Sequence, residues 1–158
     1  MGVIRTWGAV LARLVLAGVF AYAGWSKVSD LAGSGRAVNA YRLMPFEVAK
    51  VVGAALPFVE LVLALLLLVG LATRLTAAVA AGLLAVFVVG IASVWARSLS
   101  IDCGCFGGGG QLAPGAHPNY FWDVARDVVL LGLAVFLFSL PRSPVSIDSY
   151  ILGSETTP

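Results

Sequence analysis

Two cysteines, Cys103 and Cys105, stand one residue apart in the segment Asp102-Cys103-Gly104-Cys105-Phe106-Gly107, and they are the whole sulfhydryl inventory of the chain. Any disulfide within the chain can only join these two. The glycine between them relaxes the backbone limits on bringing the two Cα atoms into bonding range. A ring this small would be strained, and strained, exposed disulfides are the labile, more oxidising kind. That is the behaviour of an exchange catalyst. The blander alternatives are inert thiols, a structural disulfide, or half of a metal site. Buried cysteine is often only a small hydrophobe, but a glycine-rich loop beside an aspartate is a poor place for inert core. His117 is the one histidine, so four-coordinate zinc lacks its ligands. Cys103 and Cys105 are therefore the expected catalytic pair, with no metal and no covalently bound cofactor.

A second set of residues could support such chemistry. Glu60 lies in Leu56-Pro57-Phe58-Val59-Glu60-Leu61, deep in an apolar run. A carboxylate there is costly, so it should face the bundle interior and either find a partner or carry a proton. Pro57 removes a backbone donor three residues earlier and could kink the helix. Arg126, in Trp122-Asp123-Val124-Ala125-Arg126-Asp127, can pair with Asp123 one turn away or hold Asp102 and so pin the cysteine loop. A cation near the thiols favours the thiolate, which is the attacking species. The competing expectation is a plain ion pair anchoring the helix end. Lys27 and Trp25 read first as interfacial anchors, although Lys27 stands on the cysteine side and could add positive potential. Tyr41 and Pro45 are placed to form a lid over the same surface. His117 reads as a solvated loop residue with a proton-shuttle alternative. Trp95, Phe106, Tyr120 and Phe121 supply aromatic walls, a pattern more typical of a membrane-interface belt.

The elements that must position these residues are membrane helices. The chain has 158 residues, 60% hydrophobic and 11% charged, and the apolar residues come in blocks. A soluble protein of this size needs far more polar surface. A spanning helix takes about 20 mainly apolar residues, and four segments qualify: 7–28, 48–71, 75–96 and 120–140. The expected fold is all-α, an integral membrane four-helix bundle over residues 1–141 with a surface tail at 142–158. Residues 72–74 make a tight turn between the second and third spans. The first connection runs from Ser29 to Glu47, and the third, from Arg97 to Asn119, holds the cysteines and the run Gly107-Gly108-Gly109-Gly110. Only about 13 uncharged residues follow Asp127, too few to span alone, so the charged turn must lie at the interface or slightly inside it. Small residues such as Ala77, Ala80, Ala81 and Gly82 permit close helix packing. Ala21-Tyr22-Ala23 could pass for a signal-peptide cleavage site, but Arg13 interrupts the apolar run that a signal needs.

Whichever way the chain is inserted, the first loop and the cysteine loop share a side. With a cytoplasmic N-terminus, Arg5, Arg13, Arg74 and Arg142 lie inside, against Lys27, Arg36, Arg42, Lys50, Arg97 and Arg126 on the other face. Four against six opposes the positive-inside rule. Four of those six sit at helix ends, where a functional role could retain them. Disulfide chemistry belongs in oxidising compartments, which places the cysteine loop on the extracytoplasmic side.

In order along the chain, Ala23-Gly24 with Lys27, Tyr41 with Pro45, Leu56-Pro57 with Glu60, the cysteine hexapeptide and Arg126 together resemble the MauE/DoxX family of small redox-associated membrane proteins, specifically its methylamine-utilisation MauE branch. The resemblance implies a multi-pass bundle in the bacterial cytoplasmic membrane. It also implies thiol–disulfide chemistry in the maturation of exported proteins, as for a disulfide-rich methylamine dehydrogenase subunit. The expected activity is that of a thiol–disulfide redox component whose partners are the lipid bilayer and an exported thiol protein or thioredoxin-like protein. A membrane quinone is the candidate electron acceptor. The alternative class is a non-catalytic accessory or assembly subunit of a larger membrane or respiratory complex. Nucleic acid is not an expected partner, since no basic cluster appears outside the spans.

Overall fold

The computed structural model describes residues 2–112 and 117–140, so the tail expected at 142–158 lies outside the described residues. Five helices and one short hairpin occur in the order α1 (Gly2–Val28), α2 (Leu31–Ala40), α3 (Phe46–Val69), α4 (Thr73–Ala96), β1 (Ile101–Asp102), β2 (Gly110–Gln111) and α5 (Tyr120–Ser139). The protein is an all-α membrane protein whose bundle consists of α1, α3, α4 and α5. Three of these, α1, α3 and α4, are long and apolar enough to cross a membrane. α5 falls outside that set because Asp123, Arg126 and Asp127 crowd its first turns.

The bundle is built from two intimate antiparallel pairs, α1 with α3 and α4 with α5, while α3 and α4 touch only sparingly. Lipid tails give helices no hydrophobic reason to associate, so close packing has to come from small side chains. The core has that composition: Ala9, Ala12, Leu16, Ala17 and Phe20 of α1 meet Leu63, Ala64 and Leu67 of α3, Ala77, Ala80 and Leu84 of α4, and Leu130, Ala134 and Leu137 of α5. Large apolar side chains such as Leu11, Phe58, Leu65 and Val89 point outward to where lipid would lie. The α3–α4 turn closes through left-handed Gly70 and Ala72. Arg13, the charge that interrupts the first apolar run, is buried here and donates to the Leu68 carbonyl at 3.4 Å. It thereby meets the negative end of α3.

One helix, and the short β1–β2 hairpin, are absent from the sequence expectations. Residues 31–40, read as part of a loop, form α2. Asp30 starts it as N-cap, its Oδ1 accepting from the Gly33 N–H at 2.7 Å. α2 lies along the first half of α3, where Gly35 and Gly53 face one another: a Cβ on Gly53 would come within 2.6 Å of the Gly35 Cα. Glycine at both positions is what allows the two backbones to meet. Pro45 is the N-cap of α3 and is exposed, so it starts a helix rather than closing a lid. Pro57 sits inside α3, which runs through it as one helix.

Candidate functional site

The cysteine loop does not project from the bundle but turns back into it. β1 and β2 pair antiparallel, Ile101 with Gln111 and Asp102 with Gly110, and residues 103–109 form the tip between them. The Phe106 ring packs 5.4 Å from that of Tyr22 on α1, and the Arg126 guanidinium of α5 lies 4.5 Å from the Phe106 centroid. Tyr22 and Arg126 are each six residues in from the end of their helix, Val28 and Tyr120 respectively. The tip therefore reaches more than one helical turn below the helix ends.

Glycines make this descent possible. Gly104, Gly107, Gly108 and Gly110 all have positive φ. Gly104, at φ +67°, packs against Gly109 and α2: its Cβ would lie 2.9 Å from the Ala37 Cβ and 3.2 Å from the Gly109 Cα. Asp102 shapes the same turn, its Oδ1 accepting from the Gly104 N–H at 3.1 Å. Asp102 is exposed and makes no ion pair with Arg126, contrary to one of the two partnerships expected for that arginine.

The exposed thiol display expected of a glycine-rich loop gives way to an enclosed, asymmetric pair. Both cysteines are free thiols, Cys103 half-buried and Cys105 buried. Cys105 belongs to an apolar cluster with Ile91, Val94, Ile101 and Tyr120, and Cys103, Phe106, Tyr41 and Val124 pack around it. The Cys105 N–H donates to Cys103 Sγ at 3.4 Å. The Cys105 thiol in turn faces the Cys103 carbonyl oxygen at 3.9 Å. Hydrogen bonding from Cys105 draws the Cys103 thiol below its ordinary pKa against the opposing effect of burial, with Arg126 helping and Asp123 opposing. Cys105 moves the other way, first because it is the donor to Cys103, then because it is buried, with the charges of Cys103 and Asp127 adding. The more accessible sulfur is thus the more acidic one. Nucleophilic thiols have this character.

Arg126 organises the α5 side of the site. Its Nε donates to Asp127 Oδ1 at 2.9 Å and its Nη1 lies 3.4 Å from Asp123 Oδ1. The Asp123 pairing is the one the sequence anticipated. The hold on the cysteine loop runs through the Phe106 ring instead of Asp102.

Lys27 and Glu60 give the clearest correction. Lys27 is 3% exposed and Glu60 1%, and the Lys27 Nζ donates to both carboxylate oxygens, at 2.7 and 2.9 Å. Lys27 is not a snorkelling anchor, and its charge is neutralised by Glu60 rather than offered to the thiols. Helical side chains lean toward their own N-terminus. Lys27 therefore reaches down α1 while Glu60 reaches up antiparallel α3, and they meet. The close approach is set by Gly24, where a Cβ would stand 2.8 Å from the Pro57 carbonyl oxygen. Ala23-Gly24 with Lys27 and Leu56-Pro57 with Glu60 are two halves of one interhelical contact. Trp25, 73% exposed, keeps its expected position facing outward.

Tyr41, the C-cap of α2, donates from its hydroxyl to the Cys103 carbonyl at 2.8 Å. Burial, and then the neighbouring thiols, keep that hydroxyl well above its ordinary pKa, so it remains a donor. Its own carbonyl accepts from Arg97 Nη2 at 2.6 Å, which ties the end of α4 to the same residue. Tyr120 was expected among belt aromatics, yet it is buried: its hydroxyl accepts from the Ile101 N–H at 2.8 Å and donates to the Leu99 carbonyl, clamping the strand that enters the loop. The Trp95 ring lies beside it, tilted by 41°, with the centroids 6.4 Å apart. Phe121 is exposed, and His117 stands exposed outside the thiol cluster. Asp127 is 3% exposed, whereas its sequence context marks only a charged helix end. Its position one turn beyond Asp123 and Val124 is the sequence signal that could have marked it. Among the described residues, no group of three His, Cys, Asp or Glu side chains is placed to hold a metal ion.

Comparison with known proteins adds two findings. The family model described as methylamine utilisation protein MauE matches residues 5–140. The methylamine utilization protein MauE of Paracoccus denitrificans is 34% identical over 144 residues, covering 89% of this chain and 75% of that protein. No solved structure matches significantly.

Proposed function

Because this chain belongs to the MauE family, we propose that it is a membrane thiol–disulfide redox component working through Cys103 and Cys105 in the maturation of exported proteins. Methylamine utilisation, named for the Paracoccus relative, is the context we favour. The observation that carries this reading is the asymmetry of the pair: a half-buried Cys103 whose Sγ accepts from the N–H of a buried Cys105.

In the proposed cycle a partner thiolate attacks Cys103 of the Cys103–Cys105 disulfide, and Cys105 leaves with the electron pair of the broken bond. A second partner thiol, as its thiolate, then attacks the partner sulfur and releases Cys103. The partner is oxidised by two electrons and the cysteine pair is reduced. A membrane quinone then takes two electrons and two protons from the dithiol, restoring the disulfide and forming a quinol. An apolar cleft of about 140 Å³ between α2, α3 and α4 suits the quinone: it is lined by Val52, Leu56, Val86 and Phe87, and by Tyr41, which touches Cys103. Arg126 supplies positive charge beside the thiols, and Glu60 gives protons a station within the bundle. Tyr41 and Asp102 hold the loop in shape. The cysteine loop faces the extracytoplasmic side of the bacterial cytoplasmic membrane.

Trapping tests this against an accessory role. In a Cys105→Ser variant the Cys103 thiolate should attack the disulfide of an oxidised exported partner, one partner sulfur leaving as thiolate. The reducible covalent adduct should accumulate because no Cys105 resolves it; Cys103→Ser should abolish it. An accessory subunit would form no adduct and would support assembly of its complex with both cysteines replaced by serine.

A further inference from the structure

Cys105 has to gain or lose a proton each time it leaves or attacks, and its burial removes bulk water as the ready partner. The residues around it leave one suitable group. On α5, Tyr120, Val124 and Asp127 follow at spacings of four and three, which places them on one helix face. Tyr120 and Val124 pack in the cluster that contains Cys105, and Asp127 is the next residue along that face. Asp127 is 3% exposed. Its Oδ1 accepts from Arg126, but its Oδ2 is buried and has no hydrogen-bond partner among the described residues. A buried carboxylate oxygen left without a donor is costly, and a redox or catalytic role is one of the recognised reasons for keeping one.

The other titratable groups facing this region are accounted for. On α5, Asp123 pairs with Arg126 Nη1, and the Tyr120 hydroxyl donates to the Leu99 carbonyl. Arg126 Nη2 is buried without a hydrogen-bond partner among the described residues, but it is a permanently charged donor that cannot serve as a base. Lys27 of α1 is bound by Glu60 of α3. Tyr41 donates to the Cys103 carbonyl. α4, packed along α5, has no titratable side chain between Leu75 and Trp95. The charge of Asp127 is among those that raise the Cys105 thiol.

We propose that Asp127 exchanges a proton with Cys105, as base when Cys105 attacks and as acid when Cys105 leaves. This rests on the redox reading of the pair given above. In the attacking direction, the Cys105 thiol gives its proton to the Asp127 carboxylate. The resulting thiolate attacks Cys103 Sγ in a mixed disulfide with a partner. The Cys103–Cys105 bond forms, the Cys103–partner bond breaks, and the partner sulfur departs with the electron pair. Asp127 then returns its proton to solvent or to the departing thiolate. No further oxidant is required, because the partner sulfur is reduced as Cys105 is oxidised.

The test uses the purified full-length protein with glutathione as the partner. The Cys103–glutathione adduct is formed, and glutathione release by Cys105 is followed from neutral to alkaline pH in wild type, Asp127→Asn, Asp127→Glu and Asp123→Asn. General-base assistance is worth about a hundredfold or more, so Asp127→Asn should slow release by roughly that factor at neutral pH. Release should then become proportional to hydroxide, while Cys103 alkylation persists. Asp123→Asn should resolve like wild type. Wild-type rate and pH profile in Asp127→Asn would overturn the proposal. An equal loss in Asp123→Asn would do the same, since both acids would then act only through Arg126. If Asn at 127 abolishes folding, Asp127→Glu decides: a changed resolution rate with unchanged Cys103 alkylation supports the proposal, and an unchanged rate overturns it. A wild-type protein that forms no adduct at Cys103 contradicts the redox reading itself, and the proposal with it.

Discussion

Arg126 lies across the face of Phe106, 4.5 Å from the ring centroid, and this contact ties α5 to the loop that carries the thiols. A cation over an aromatic face contributes about 0.5–2 kcal/mol depending on desolvation. The same guanidinium also holds Asp123 and Asp127, so one side chain couples loop position to local charge.

Arg126→Gln should therefore slow alkylation of Cys103 at neutral pH, by about tenfold for each unit that the thiol pKa rises. The sign follows from direction. A thiol held below its ordinary pKa presents thiolate at lower pH, so removing the cation moves the rate curve to more alkaline pH, where reactivity returns. Lysine at 126 should restore part of the effect, because it keeps the charge but lacks the fork that serves two carboxylates. Identical alkylation curves in wild type and Arg126→Gln would reduce Arg126 to an anchor of the helix end.

Breaking the Lys27–Glu60 pair should cost far more than removing it whole. Glu60→Leu strands a buried ammonium, with an expected loss of about 3–5 kcal/mol. The double variant Lys27→Met/Glu60→Leu should recover most of that in thermal unfolding in detergent. Glu60→Gln should keep an acceptor for Lys27 and fold, yet slow reoxidation of the dithiol if Glu60 carries protons. Equal reoxidation rates would leave Glu60 a structural partner of Lys27 alone.

The glycine between the cysteines is predicted to be irreplaceable for two separable reasons. Gly104→Ala places a side chain in left-handed backbone, at roughly 1–2 kcal/mol, and also meets the Ala37 Cβ at 2.9 Å. Adding Ala37→Gly should relieve the collision but not the backbone penalty. The melting temperature of the double variant should thus fall between those of wild type and Gly104→Ala. Full recovery would mean that backbone strain contributes nothing.

Much of this was legible in the sequence because membrane helices are written in long apolar blocks. The four bundle helices appear within a few residues of their expected limits, and the Arg126–Asp123 pair follows from helical spacing. What escaped depends on contacts between distant segments. α2 is too short and too polar to announce itself, and it is held by Gly35 against Gly53. Lys27 looked like a snorkelling residue because the identity of its partner, 33 positions away, is a matter of tertiary packing. The burial of the thiols was hidden for the same reason: a glycine run signals conformational freedom but not where the loop goes.

Topology has its own test. With the cysteine loop on the extracytoplasmic side, a membrane-impermeant thiol reagent applied to reduced intact cells should label Cys103 in preference to buried Cys105. Labelling that appears only after lysis would reverse the orientation.

The central claim is that Cys103 and Cys105 form one reversible redox couple. Equilibrating the purified protein in a series of glutathione buffers and counting free thiols by mass after alkylation measures this directly. The account predicts a single two-electron transition between dithiol and intramolecular disulfide, identical from the oxidised and reduced starting points and absent in Cys103→Ser. Two thiols that stay reduced across the whole series, or that become glutathionylated independently without ever joining, would contradict it.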